Sequence, residues 1–143
     1  MEKIFVATDG SEGGKRAVSY AARLAANTRG ELSIVTVTAA APSAAWREYA
    51  QAEHLAVGDL IEVEAEDVLQ KARALALKEG TVPADCHALV GDAAEQILDL
   101  IVESKPGVVV VGRRGRGRLV GLLLGSVSQK LASLSPVPVI IVP

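Results

Sequence analysis

The sequence predicts an open parallel α/β sheet with helices on both faces. Apolar, β-branched runs alternate along the chain with segments of helical periodicity. One run, Val108 to Val111, is valine throughout and is therefore apolar on both sides. Aromatic residues are only 3% of a chain that is 50% hydrophobic, so the interior is built from Val, Leu, Ile and Ala. Strands covered on both faces by crossover helices have this composition. At 143 residues the chain forms one domain, 1–143. A domain of that size buries roughly two-thirds of the surface its unfolded form exposes.

Ile4 to Ala7 is a short strand that runs into Thr8-Asp9-Gly10-Ser11. Ala17, Val18, Ala21, Ala22, Leu24 and Ala25 then recur at helical spacing, with Ser11 placed as an N-cap and Asn27-Thr28-Arg29-Gly30 as the stop. Leu32 to Thr38 is the second strand. Ala39 to Ala45, with Pro42 and Ser43, has no period and reads as a surface loop. A long helix follows, in which Ile61, Ala65, Val68, Leu69, Ala72 and Leu75 make one apolar stripe and Glu62, Glu66, Asp67 and Lys71 lie elsewhere; Gly80 ends it.

Asp85 to Val90 is the third strand. Gly91-Asp92 opens the next helix, where Asp92 and Glu95 have capping-box spacing and Ile97, Leu98 and Ile101 supply the buried face. Pro106-Gly107 breaks the chain before Val108 to Val111, which reads as an interior strand. Ser126 to Leu134 is the last helix and Val137 to Val142 the last strand. Five strands thus alternate with four helices. Ligands of such sheets bind beyond the carboxyl ends of the strands, where Asp9 and Gly112 both lie.

A formal net charge of −2 argues against a general nucleic-acid or anionic-membrane surface, which needs a strongly basic face. Basic charge is local, at Arg113, Arg114, Arg116 and Arg118. Cys86 is the single cysteine, so no intramolecular disulfide forms, and no Cys/His spacing resembles a zinc site. The N-terminal residues have no signal-peptide core, and no apolar run reaches membrane-spanning length. The expectation is a soluble, cytoplasmic protein that binds neither nucleic acid nor membrane.

Gly10 to Arg16 follows a strand and evokes a phosphate-binding P-loop, but its glycines stand one residue too close and Arg16 occupies the place of the magnesium-binding hydroxyl. A turn with Ser11 capping the helix is the better reading. Gly115-Arg116-Gly117 with Gly121 likewise misses the dinucleotide spacing by one residue.

The segment from Gly112 through Gly115 to Gly125-Ser126 has more to offer. Gly112 and Gly115 would let backbone approach a ligand, Gly125 would do so at the helix entry, and Ser126 and Ser128 would add hydroxyls beside the free amides of Ser126 and Val127. The competing reading is a Gly-rich surface loop with Ser126 as an ordinary N-cap. One or two of the arginines would clamp phosphate oxygens; a solvated basic loop is the alternative. Asp9 would bind a ribose hydroxyl or hold a metal through water, or serve as a turn aspartate bonded to its own backbone. His54 and His87 have no matched partners and read as structural or solvated, and Cys86 as a strand residue without a catalytic role.

Gly112, Gly115, Gly125 and Ser126 satisfy, without a gap, the spacing Gly, two residues, Gly, nine residues, Gly, then Ser or Thr. On this motif the chain resembles the ATP-binding class of the universal stress proteins. The resemblance extends to Val6-Ala7-Thr8-Asp9-Gly10-Ser11, to Val90 through Ile97, and to Pro136 through Val142, and so spans essentially the whole chain. It implies strand order 3-2-1-4-5. It also implies that Ala7 and Asp9 line a nucleotide site, that the backbone of Val37 contacts adenine, and that Val111, Gly112 and Gly115 border ribose and phosphates. Gly125, Ser126 and Val127 would then hold the phosphates, with Ser128 as an extra hydroxyl. Arg113 stands where many relatives have a small or polar residue, and would strengthen the phosphate contact or crowd the ribose. Residues 39–50, with Trp46 and Tyr49, would cover the adenine side or form a loosely packed connection.

The resemblance further implies a homodimer through Val137 to Val142, an apolar edge that would otherwise invite uncontrolled pairing. The leading functional expectation is ATP binding, with Mg2+ accompanying the nucleotide, as a signal read by a protein partner. The alternatives are a dimeric interaction module that binds no nucleotide, and slow ATP hydrolysis, for which no general base stands out beyond Asp9.

Overall fold

The computed structural model describes residues 2–39, 48, 49, 51–54, 56–114 and 124–143. In chain order the elements are β1 (Lys3–Ala7), α1 (Glu12–Thr28), β2 (Glu31–Thr38), α2 (Val57–Lys78), β3 (Asp85–Val90), α3 (Ala93–Ser104), β4 (Val108–Gly112), α4 (Ser126–Leu134) and β5 (Val139–Val142). The strands form one five-stranded sheet in the order β3-β2-β1-β4-β5, and every pairing is parallel. This is the order and the architecture expected from the sequence.

The period of two along each strand divides the core between the two faces of the sheet. Ile4 and Val6, Ile34 and Leu32, and Val108 and Val110 point to one face, where they meet Ala17, Val18, Ala21, Ala22 and Ala25 of α1 and Leu69, Ala72 and Ala76 of α2. The small alanines let α1 lie close against the strands. Phe5, Val35, Val109 and Val111 point to the other face and pack on Ile97 and Ile101 of α3 and Leu131 of α4. The valine run is buried on both sides, as an interior strand must be.

The helix ends follow their sequence signals. Ser11 Oγ accepts the Gly14 amide at 3.1 Å, and Asp92 Oδ2 accepts that of Glu95 at 3.0 Å. Arg29 and Lys105 close α1 and α3 in the left-handed conformation.

The last strand begins at Val139 and not at Val137. Val137 donates its amide to Ser135 Oγ at 3.1 Å in a side-chain-closed turn, and Pro138 has no amide to add to a ladder. Its carbonyl does accept from Val109 at 3.0 Å, so pairing starts with a single bond before the strand proper.

Candidate functional site

The chain leaves β1 through a tight turn. The Thr8 amide donates to Val35 O at 2.9 Å, Gly10 takes a positive φ of 81° and donates to Thr8 Oγ1 at 3.2 Å, and the Ser11 amide donates to Asp9 Oδ1 at 2.9 Å. Asp9 is thus a turn aspartate, and its position at the strand exit also places it on the wall of a cavity.

That cavity, of about 300 Å³, opens at the carboxyl ends of β1, β2 and β4, where the direction of the crossovers reverses. Its apolar wall comes from Val35 and Val37 on β2, Val111 on β4, and Ala93 and Ile97 in the first turns of α3. Its polar rim comes from Thr8, Asp9 and Arg114, and its far end from Gly125, Ser126, Val127 and Ser128 at the start of α4. An apolar slot with polar groups gathered at one end suits a flat ring system carrying an anionic tail.

Three helices contribute N-terminal residues to this wall, and they differ in how their first amides are served. Those of α1 and α3 are capped by the side chains of Ser11 and Asp92. The N-cap of α4 is Gly125, which has no side chain to accept, and no side-chain cap bond forms there. The amides and the positive dipole end of α4 therefore open on the cavity.

The approach to α4 is held by one carbonyl. The Arg113 amide donates to Val142 O at 2.8 Å, carrying the β4–β5 ladder one residue further. The Arg113 carbonyl then accepts the Gly125 amide at 2.8 Å and the Ser128 hydroxyl at 3.0 Å. The same hydroxyl lies 3.0 Å from the Gly125 carbonyl.

Ala7, Asp9, Val37, Val111, Gly112, Gly125, Ser126, Val127 and Ser128, singled out from the sequence, all line the cavity. Two placements differ from expectation. Arg113 is exposed and off the cavity wall, because its backbone is committed to Val142, Gly125 and Ser128; its neighbour Arg114 lines the wall instead. Ser126 is the first helical residue, as the expected bounds Ser126 to Leu134 have it, and the N-cap of the competing reading falls to Gly125. Ser128 is buried and shares its single hydroxyl hydrogen between two carbonyls, so it has none to give a phosphate. Gly115, Arg116, Arg118 and Trp46 lie outside the described residues.

Val35, Ala93, Ile97, Thr8 and Gly14 are wall residues that the sequence reading did not single out. Val35 was within reach of it, being two positions from Val37 on the same face of the strand. Gly14 is small for a steric reason: a β-carbon there would stand 2.5 Å from Thr8 Oγ1. The P-loop likeness of this segment has no counterpart in space. Lys15 pairs with Glu12 at 3.2 Å and Arg16 donates to Pro143 O at 3.2 Å.

Residues 1–143 match the model of the Usp, or universal stress protein, family. The chain belongs to the universal stress protein family. Universal stress protein YxiE of Bacillus subtilis is 34% identical over 147 residues, with 99% of each chain covered. A universal stress protein solved in complex with cAMP is 30% identical and superposes with a TM-score of 0.72, covering 99% of this chain and 96% of the other. UspA from Lactobacillus plantarum, 18% identical, shares the fold at a TM-score of 0.81 over 99% and 97% of the two chains. In this universal stress protein, no group of three or more His, Cys, Asp or Glu side chains among the described residues is placed to hold a metal ion. No helix among them is long and apolar enough to cross a membrane.

Proposed function

We propose that this protein binds an adenine nucleotide, ATP in the leading reading, in the cavity at the strand carboxyl ends, and that occupancy is the signal it passes to a protein partner. The observation that carries the reading is the α4 N-terminus, which lacks a side-chain cap and lies on the wall of a cavity whose other end is apolar. The base would lie between Val35 and Val37 on one side and Ala93 and Ile97 on the other. Asp9 would face the ribose, and Ser126, Val127 and Arg114 the phosphates. The complete glycine motif, with Gly115, and the cAMP complex of a relative 30% identical support the same ligand class.

Mg2+ would arrive with the phosphates, since Asp9 is the carboxylate on the cavity wall. Its chemistry there would be charge neutralisation of the polyphosphate. Binding alone suffices for a signalling role, so hydrolysis would be slow at most. The partly exposed β5 edge supports assembly into a homodimer through the last strand, with Val139–Val142 as the pairing segment.

The test is to denature freshly purified protein and identify the released nucleotide by chromatography, for the wild type and for Ser126→Ala and Gly115→Val. Near-stoichiometric adenine nucleotide from the wild type, reduced in the variants, is the expected result. No release, together with no heat of ATP binding in the presence of magnesium, would favour an interaction module without nucleotide.

A further inference from the structure

We propose that Ser128 is the positioning residue of the α4 N-terminus: a buried latch that aims the Ser126 and Val127 amides into the cavity, and not itself a ligand of the phosphates. The inference rests on the nucleotide reading of the cavity for its binding consequence, and on the hydrogen-bond geometry alone for the latch.

Ser128 is only 2% exposed and stands at the third position of a helix whose N-cap is a glycine. Its hydroxyl lies 3.0 Å from Gly125 O, the local bond back along the helix that serine commonly makes. It also lies 3.0 Å from Arg113 O, fifteen residues earlier and just past β4. The second contact is the informative one, because it joins the first turn of α4 to the end of β4, whose Val111 and Gly112 line the cavity. Gly125 N–H reaches the same Arg113 carbonyl at 2.8 Å, and Arg113 N–H is fixed to Val142 O at 2.8 Å. One carbonyl, itself anchored to the sheet, therefore receives two donors from the helix start. Two donors converging from positions 125 and 128 fix direction as well as distance. An uncapped helix terminus bound by one of them alone would be free to turn about that bond.

Removing the hydroxyl leaves no carbonyl bare. Arg113 O keeps the Gly125 amide, and Gly125 O keeps the Gln129 amide at 3.0 Å. Ser128→Ala should therefore fold, which makes the variant informative. In the ligand-free variant the Gly125 amide should exchange with solvent faster than in the wild type, by roughly fivefold or more, the loss that one hydrogen bond carries. Affinity for ATP should fall by a similar factor while affinity for adenosine, which has no phosphate to meet the helix, is unchanged.

The experiment is hydrogen exchange of the Gly125 amide in ligand-free wild type and Ser128→Ala, beside calorimetric titration of both with ATP and with adenosine. Faster exchange with a lowered ATP-to-adenosine affinity ratio supports the latch. A general loss of stability would not move that ratio. Unchanged exchange overturns the latch, and unchanged exchange with lost ATP affinity would make Ser128 a direct phosphate ligand. Wild type that binds neither compound would overturn the nucleotide reading of the cavity, while the exchange comparison would still decide the latch.

Discussion

A β-carbon at Gly112 would stand 2.7 Å from the carbonyl oxygen of Gly13, so the end of β4 and the first turn of α1 are in backbone contact with no room for a side chain between them. The approach is reciprocal, since a β-carbon at Gly13 would collide with the carbonyl oxygen of Arg114. The glycine that opens the family motif is thus required by packing of the protein against itself, beside whatever it allows a ligand. Gly112→Ala should cost about 1–3 kcal/mol by overpacking, read as a lower midpoint in urea with an unchanged slope.

The capping contrast among the three helices at the cavity gives opposite outcomes for similar changes. Ser11→Ala and Asp92→Ala each remove a side chain that accepts a helix amide, at 3.1 Å and 3.0 Å, and should each cost about 1 kcal/mol. At Gly125, where φ is −72° and any residue is tolerated by the backbone, Gly125→Asp should supply the missing acceptor. Its carboxylate would occupy the place proposed for phosphate. The expected result is a thermal midpoint no lower than wild type together with a loss of ATP affinity of about tenfold or more.

The two adjacent arginines should separate cleanly. Arg114 lines the cavity and Arg113 does not. Arg114→Ala should weaken ATP binding by about 1.5–3 kcal/mol, the range for a hydrogen bond to a charged group, and flatten its salt dependence. Arg113→Ala should stay within about 0.5 kcal/mol. Calorimetry at two ionic strengths distinguishes them, and equal effects would place both on the phosphates.

Assembly is checked at the β5 edge. All four residues of Val139–Val142 are partly exposed, and an apolar edge strand of this kind is a template for pairing, as in the dimer proposed. Sedimentation should give the mass of two copies for the wild type and of one copy for Ile141→Lys, with a lowered thermal midpoint as well because Ile141 also packs on the α3–α4 side of the core; a one-copy mass for the wild type would contradict the pairing.

Much of this was legible in the sequence, for identifiable reasons. The unbroken apolar runs at Ile4, Phe5 and Val6 and at 108–111 report strands buried on both faces, because both sides of such strands meet helices. Ser11 and Asp92 announce their helices because capping is a local matter. The start of β5 was misplaced because Val137 is as β-prone as Val139, and only the bond to Ser135 and the missing amide of Pro138 end the ladder there. Arg113 and Arg114 cannot be told apart in sequence, since which one faces the cavity depends on how far the β4–β5 ladder runs. The commitment of Ser128 to Arg113 is tertiary and has no local signal at all.

Whether the uncapped start of α4 receives the phosphates of an adenine nucleotide, as proposed, is read most directly from a 15N amide titration of the protein with ATP, followed residue by residue. Saturable shifts that are largest at Ser126 and Val127, absent with adenosine at those two amides and lost in Gly125→Asp, are the predicted result. No saturable shift at Ser126 and Val127, or saturable shifts only elsewhere on the molecule, would contradict it.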